Sequence, residues 1–421
     1  MNRYGMASSQ SLNCLGNHDT RSISVDRRWM CSLAGALCLV FLLGCSRQPL
    51  KEQVGAVSFE RVSAGEIPLF ADDMDHQSLR IAIAKSLAFY DRIPGDRIFL
   101  LGEMQVRADV LKTSLAHFLK LLDANQLSRE TISREFDVYL SRSGRSTDQA
   151  LVTGYFEPVL EGRIEPDSRF RYPLYGVPPD LLTIDLAAFD PERFSGDRLV
   201  GRLKDNRVVP YYSRAEIDGQ AKLAQMGGQL AWLQDPIDAF FLHVQGSGML
   251  RMPDGRFLRV GYAGSNGRPY RSMGKYLVEK GLMSLDEVTL QSIRDYLRAH
   301  PEIRDEAMWH NESYVFFRWV DEGPVGSLNV LLTPGRSIAT DARYHPRGAL
   351  AFLETEKPRL DAMGQVIGRE PLRRWVLNQD TGGAIKGIGR VDLFCGSGEA
   401  AEEIAGRLKY PGKLYFLVKK E

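Results

Sequence analysis

Apolar positions recur at helical spacing from Asp75 to Asn125. Leu79, Ile83, Leu87 and Tyr90 fall three or four residues apart, as do Val110, Leu111, Leu115, Phe118, Leu119 and Leu122, so two amphipathic helices are predicted. A further amphipathic stretch, Arg129 to Leu140, follows Ser128, which suits an N-cap. From about Leu151 to Gly267 the period shortens. Short β-rich runs (Ala150–Phe156, Arg207–Tyr212, Ala239–Gln245 and Arg256–Tyr262) alternate with glycine and proline turns, as in a small barrel or sandwich. Helical spacing returns over Ser272–Lys280 and Leu285–Ala299, and Val325–Glu421 reads again as strands joined by turns. Helices, a β block, then helices and strands predict one domain inserted into another, with the cleft between them the default place for a ligand.

One apolar run fits neither domain. Cys31 to Gly44 carries no charge, is flanked by Arg27 and Arg28, and is shorter than the ~20 apolar residues of a membrane-spanning helix. It suits the core of a signal peptide. Its end, Leu42-Leu-Gly-Cys45, resembles a bacterial lipobox, which implies cleavage after Gly44 and lipid on Cys45. Ser46 stands where an aspartate would resemble an inner-membrane retention signal. The expected location is therefore the periplasmic face of the outer membrane of a Gram-negative bacterium. Residues 1–25 are unusual ahead of such a signal and fit a start codon assigned too early. Of five cysteines, Cys14, Cys31 and Cys38 would leave with the signal and Cys45 would be lipidated. Cys395 then has no partner for an intramolecular disulfide and is expected to be a buried structural thiol.

The remaining ~375 residues are long enough for two domains. Basic and acidic residues nearly balance, 54 against 53, so no global field attracts nucleic acid or an anionic membrane. The seven histidines lack zinc-like spacing, and neither a metal nor a cofactor is expected. No P-loop and no nucleophile-elbow motif is present; Gln245-Gly-Ser-Gly248 lacks the glycine two residues before the serine.

Candidate chemistry concentrates near the C-terminus. Asp380 and Asp392 stand at either end of a loop containing Gly382, Gly383, Gly387 and Gly389, which permit tight turns and close approach of a ligand. Downstream, Arg390-Val-Asp-Leu-Phe394 alternates like a strand, with Asp392 and Phe394 on one face. An acid beside an aromatic ring resembles the wall of a carbohydrate cleft; an ordinary strand end is the alternative. Asp380-Thr-Gly382 is also the tripeptide of aspartic proteases, but those enzymes need two such acids and an apolar strand before each. Here Asn378-Gln379 precede it and no second Asp-Thr-Gly exists. Three segments of the β block, Thr153–Pro158, His243–Met249 and Tyr262–Arg271, combine aromatics, amides and hydroxyls. Together they favour a polar, neutral polymer, although turns are enriched in such residues anyway.

These segments, with Arg214-Ala-Glu-Ile217, Tyr270–Lys275, Ser313–Phe317 and Asp380–Gly396, resemble the membrane-bound lytic murein transglycosylase A family over most of the mature chain. The end resembles that family's three-aspartate domain, whose acids would be Asp341, Asp380 and Asp392. The chain departs from the pattern in a loop one residue longer between Asp380 and Asp392, and in Asn378-Gln379 where an aliphatic pair is usual. The resemblance implies a mainly β fold with flanking helices: a double-psi β-barrel domain with a second β-barrel domain inserted, and a substrate groove between them. On that basis residues 45–56 are a tether, 57–150 and 273–421 the first barrel with its helices, and 151–272 the insertion. The implied activity is cleavage of the β-1,4 bond from N-acetylmuramic acid to N-acetylglucosamine, leaving a 1,6-anhydro sugar. Asp392 would be the acid/base, with Asp380 and Asp341 supporting. Tyr155, Glu157, Gln245, Ser247, Tyr262, Asn266, Tyr270 and Lys386 are the candidate substrate contacts. The implied partners are glycan strands and cell-wall synthesis or remodelling proteins, for a monomer. A glycan-binding lipoprotein without turnover is the alternative of another class.

Overall fold

The alternation of Val391 and Leu393 against Asp392 and Phe394 does make a strand, Arg390–Ser397, and that strand is one stave of a closed barrel. A computed structural model describes residues 58–143, 149–194 and 198–420. The signal run, the tether and Cys45 lie outside the described residues. The barrel ring runs Lys409–Lys419, Leu350–Leu360, Val366–Asp380, Ser337–Ala339, Arg390–Ser397 and Ala150–Glu157, then returns to Lys409–Lys419. Two of its pairings are parallel, Ser337–Ala339 on Val366–Asp380 and Arg390–Ser397 on Ala150–Glu157. Each joins segments distant in sequence, as parallel pairing requires a crossover. Phe136–Arg142 and Ser58–Arg61 extend the sheet outward from Lys409–Lys419.

The core is shared between the barrel and two helices. Val152, Ile338, Leu353, Val376, Val391, Leu393 and Phe416 pack in one cluster with Leu79 and Ile83 of the helix His76–Tyr90 and Leu115 and Phe118 of the helix Ala108–Asp123. Burial of each such side chain contributes about 1.5–3 kcal/mol before entropy is counted. Arg336 fixes the first helix to the barrel. It is fully buried, and its Nη1 lies 3.0 and 2.8 Å from the two carboxylate oxygens of Asp72. The same guanidinium donates to the carbonyls of Trp375 and Asp75.

The second sheet orders Val315–Val320, Phe257–Ser265, Ser247–Arg251, Val159–Arg163, Gln229–Leu233 and Tyr172–Tyr175. A three-stranded sheet, Leu182–Asp185, Arg198–Lys204 and Arg207–Pro210, accompanies it. By hydrogen bonding, residues 151–157 belong to the first sheet and 315–320 to the second. The helices Met273–Glu279, Leu290–Ala299 and Pro301–His310 share a small core with the helix Pro236–Gln245.

Two local expectations are corrected. Ala239–Gln245 is helical, not a strand, because its ends carry helix signals that outweigh its β-rich composition. Asp235 accepts the Ile237 amide, Pro236 occupies the first turn, and Gly246 closes the helix at φ 81°. The helix after Ser128 stops at Glu135, where Phe136 and Val138 turn inward at strand spacing and pair with Lys409–Lys419. Among the described residues no helix is long and apolar enough to cross a membrane.

Candidate active site

Barrel register brings the two loop aspartates to one place. Ser337–Ala339 lies between the strand that ends in Asp380 and the strand that carries Asp392, and Ala339 is the register partner of both acids. The glycine-rich loop therefore spans the width of one intervening strand. On the far side, Asp392 is aligned with Thr153 and Phe394 with Tyr155.

Asp392 is half-buried. Thr153 Oγ1 donates to its Oδ1 at 2.7 Å, and the same Oγ1 accepts from Arg390 Nη2 at 3.3 Å. The arginine occupies an oxygen lone pair, so the threonine proton is directed at the carboxyl. Burial pushes the acid up to about 6, while the Thr153 hydrogen bond and the Arg390 charge pull against it and the Asp380 charge adds to it.

Asp380 has a different environment. Its carboxylate accepts from Tyr155 Oη at 3.0 Å, from the Ser327 amide at 2.9 Å and from the Thr381 amide at 2.8 Å. Burial raises it, and these three donors oppose the rise. Its partners are donors, not a second carboxyl, so the proton-sharing pair of an aspartic protease is not formed here. Asp341 is buried and firmly ionised. Burial alone would raise it, but Arg343, with Nη2 at 2.6 Å, and the Gly387 amide at 2.7 Å outweigh that and bring it to about 2. Through Gly387, at φ 82°, this acid holds the loop between the other two.

The other candidates divide. Tyr155 packs on Phe394 at 5.3 Å between ring centroids, and both loop aspartates act on its hydroxyl. Tyr270, from the inserted region, is near enough for the charges of Arg390 and Asp392 to act on it. Gln245, at the end of its helix, accepts the Phe156 amide through Oε1 at 3.1 Å. Ser247 begins the strand beside Gly261, Tyr262 is 54% exposed on its strand, and Lys386 is exposed on the loop. Glu157 and Asn266 are interior. Glu157 accepts from Ser397 Oγ at 2.6 Å and faces Arg259 Nε at 3.4 Å, joining the two sheets. Asn266 donates to the carbonyls of Tyr212 and Glu312 and accepts the amides of Arg268 and Tyr314. Cys395, half-buried, packs by Phe156, Ala401 and Ala405, and burial pushes its thiol up to about 12.

Sequence reasoning missed Thr153 and Arg390 as individual residues. Arg390 and Asp392 share a strand face two residues apart, a visible signal. Thr153 becomes their neighbour only through pairing across 239 positions.

Comparison with known proteins bears on the family and the fold. Residues 151–318 match the MltA specific insert domain and 336–418 the 3D domain. The membrane-bound lytic murein transglycosylase A of Vibrio cholerae is 35% identical over 288 residues, 67% of this chain and 70% of that protein. The same-named protein of Escherichia coli K12 is 34% identical over 268 residues, 63% of this chain and 64% of its own length. Among solved structures, a membrane-bound lytic murein transglycosylase from Agrobacterium tumefaciens superposes with TM-score 0.71 at 30% identity, covering 86% of this chain and 98% of its own. E. coli MltA with bound chitohexaose superposes with TM-score 0.65 at 25% identity, covering 89% and 98%.

Proposed function

The chain belongs to the membrane-bound lytic murein transglycosylase A family, lyases acting on peptidoglycan, and from that premise we propose that Asp392 is its single acid/base. The observation that supports this most directly is the position of Asp392 at the end of the Arg390–Thr153 chain, with a carboxyl held up to about 6. About one molecule in ten then keeps the proton at pH 7, against about one in a thousand for an ordinary aspartic acid.

Because Thr153 donates to Oδ1, the carboxyl proton is on Oδ2, the oxygen left for the glycosidic bond. Asp392 passes this proton to the oxygen linking N-acetylmuramic acid to N-acetylglucosamine, and the bond from that oxygen to C1 breaks. The carboxylate, now supported by Arg390 and Thr153, takes the proton of the muramic acid O6 as that oxygen attacks C1. The 1,6-anhydro ring closes, and Asp392 is again protonated. Nucleophile and electrophile belong to one sugar ring, so no water and no second carboxylate are needed, in contrast to a hydrolase. Asp380 and Asp341 are supporting residues: the first adds negative charge and anchors Tyr155, the second fixes the loop through Gly387.

Tyr155, Tyr270, Gln245, Ser247, Tyr262 and Lys386 remain the proposed glycan contacts, while Glu157 and Asn266 contribute by shaping the junction and the loop. The glycan lies between the barrel and the inserted domain of a protein anchored by lipid on Cys45 to the outer membrane. The E. coli relative's structure with chitohexaose is consistent with a site for a β-1,4 glycan.

The test is incubation of purified protein with peptidoglycan, with mass spectrometry of the products. Muropeptides ending in 1,6-anhydro sugars are expected from wild type and none from Asp392→Asn, which keeps glycan binding. Reducing-end products indicate a hydrolase, and no products a binding protein. Normal turnover by Asp392→Asn defeats the assignment.

A further inference from the structure

The inserted region contains a cavity of about 340 Å³ with no wall from the six barrel strands. That size is at the small end for ligand sites and suits a group no larger than a dipeptide. Trp232 and Trp309 line it, and Trp309 packs so closely on Gly219 that a β-carbon there would lie 2.8 Å from the indole. The wall is thus a fitted one, which any larger residue at 219 would displace.

Its charged groups are two acids and three arginines, and His243, Tyr172, Tyr175 and Tyr314 add polar atoms to the wall. Arg214, 2% exposed, is engaged internally: it donates to the carbonyls of Asn311 and Ser313, and its Nη1 reaches Asp218 at only 3.4 Å. Burial raises Asp218, Arg214 and Tyr314 pull against the rise, and the charge of Asp305 adds to it. Each acid already faces a guanidinium, Asp218 that of Arg214 and Asp305 that of Arg304, so acids, arginines and ring faces alternate along the wall, a lining that suits a zwitterion with its ammonium at the carboxylates and rings. At the rim, Arg171 is exposed and Arg304 is half-buried with Nε 2.9 Å from Asp305. Guanidinium groups there suit a carboxylate.

We propose that this cavity binds a short peptide with a free ammonium at Asp218 and Asp305 and a free carboxylate at Arg171 and Arg304. This is the chemistry of the peptide arms of murein, and that identification of the peptide rests on the function proposed above. Tyr270 is near enough to Arg214 of the cavity wall and to Asp392 for the charges of both to act on it, so the cavity and the acid share this tyrosine as a neighbour. The helix Pro236–Gln245 connects the two places, lining the cavity with Phe240 and His243 and holding the Phe156 amide through Gln245.

The binding test is a fluorescence titration of the purified chain with the dipeptide L-lysyl-D-alanine, read by the cavity tryptophans. A saturable change is expected in wild type, weakened roughly tenfold by acetylating the amines and amidating the carboxylate of the probe. Asp218→Asn weakens it by a similar factor. Arg171→Ala, a surface change that leaves the fold intact, weakens it roughly threefold. Absence of a saturable change overturns the proposal, as does equal binding of the capped dipeptide or unaltered binding by both variants.

The source of the peptide is read separately, by cleavage of peptide-bearing murein and of glycan stripped of its peptides. Slower cleavage by the two variants on peptide-bearing murein alone identifies an arm of the substrate; equal behaviour on both identifies a free peptide. If wild type cleaves neither substrate, the function proposal fails while the titration still decides the cavity.

Discussion

Thr153→Val tests the acid without altering it. Valine keeps the side chain's shape and removes the hydroxyl that donates to Asp392 Oδ1 at 2.7 Å, and Arg390 Nη2 loses the oxygen it meets at 3.3 Å. A hydrogen bond to a charged group contributes about 1.5–3 kcal/mol. Part of that is retained toward the neutral acid, so the difference between protonation states is nearer ~1.4 kcal/mol, or about one pKa unit. The lost donor favoured the carboxylate, so the acid rises further above about 6. In the proposed mechanism activity requires protonated Asp392 and falls as pH rises through its pKa. The alkaline limb of kcat/KM, which reports the free enzyme, should therefore move about one unit toward higher pH. Loss of the group that orients the acid should also lower the plateau below the limb, roughly tenfold. The assay is release of anhydro-muropeptides as a function of pH, with thermal unfolding to confirm the fold. A limb that stays in place, or moves to lower pH, refutes the reasoning and leaves Thr153 a packing role only.

Asp341→Ala should lower stability by about 2 kcal/mol at pH 7, since the acid's native value of about 2 lies below its ordinary 3.8. That contribution is present above 3.8 and lost as pH falls through about 2, so urea unfolding of wild type and variant should converge in acid; a pH-independent gap contradicts it. Arg336→Met leaves Asp72 buried without its partner and should cost about 3–5 kcal/mol, read by urea denaturation. A cost under about 1 kcal/mol would show that the pair does not hold the first helix to the barrel. Asp235→Ala removes the cap of the helix Pro236–Gln245 and should cost about 1 kcal/mol, measured the same way.

The barrel half was legible where strands alternate strictly. Val391 and Leu393 are buried on one face as their spacing predicts, and Asp392 occupies the other. The two misread segments share a cause: composition and period pointed one way and end signals or tertiary pairing another. In Pro236–Gln245 the cap residues Asp235, Pro236 and Gly246 decided the outcome over the aromatic run between them. At Phe136–Arg142 the nearby edge of Lys409–Lys419 captured residues that could have continued a helix. Neither competition can be weighed from periodicity alone.

The candidate site was legible in the sequence as a grouping of residues but not as distance. Asp380 and Asp392 could be identified as a pair, yet the strand that separates them, Ser337–Ala339, is three residues long and gives almost no pattern of its own. Its insertion sets the whole arrangement. With Ala339 between the two acids, Asp380 reaches its donors on one side and Asp392 meets Thr153 on the other. Were the two strands direct neighbours, about 4.8 Å apart, both carboxylates would crowd one site and compete for one proton. The extra strand spaces them, and in the proposed mechanism this leaves Asp380 to act through its charge and Asp392 to offer its free oxygen to substrate. The one-acid mechanism proposed for Asp392 thus follows from strand order, and loss of the spacing, more than loss of Asp380 itself, is what would turn this site toward two-carboxylate chemistry.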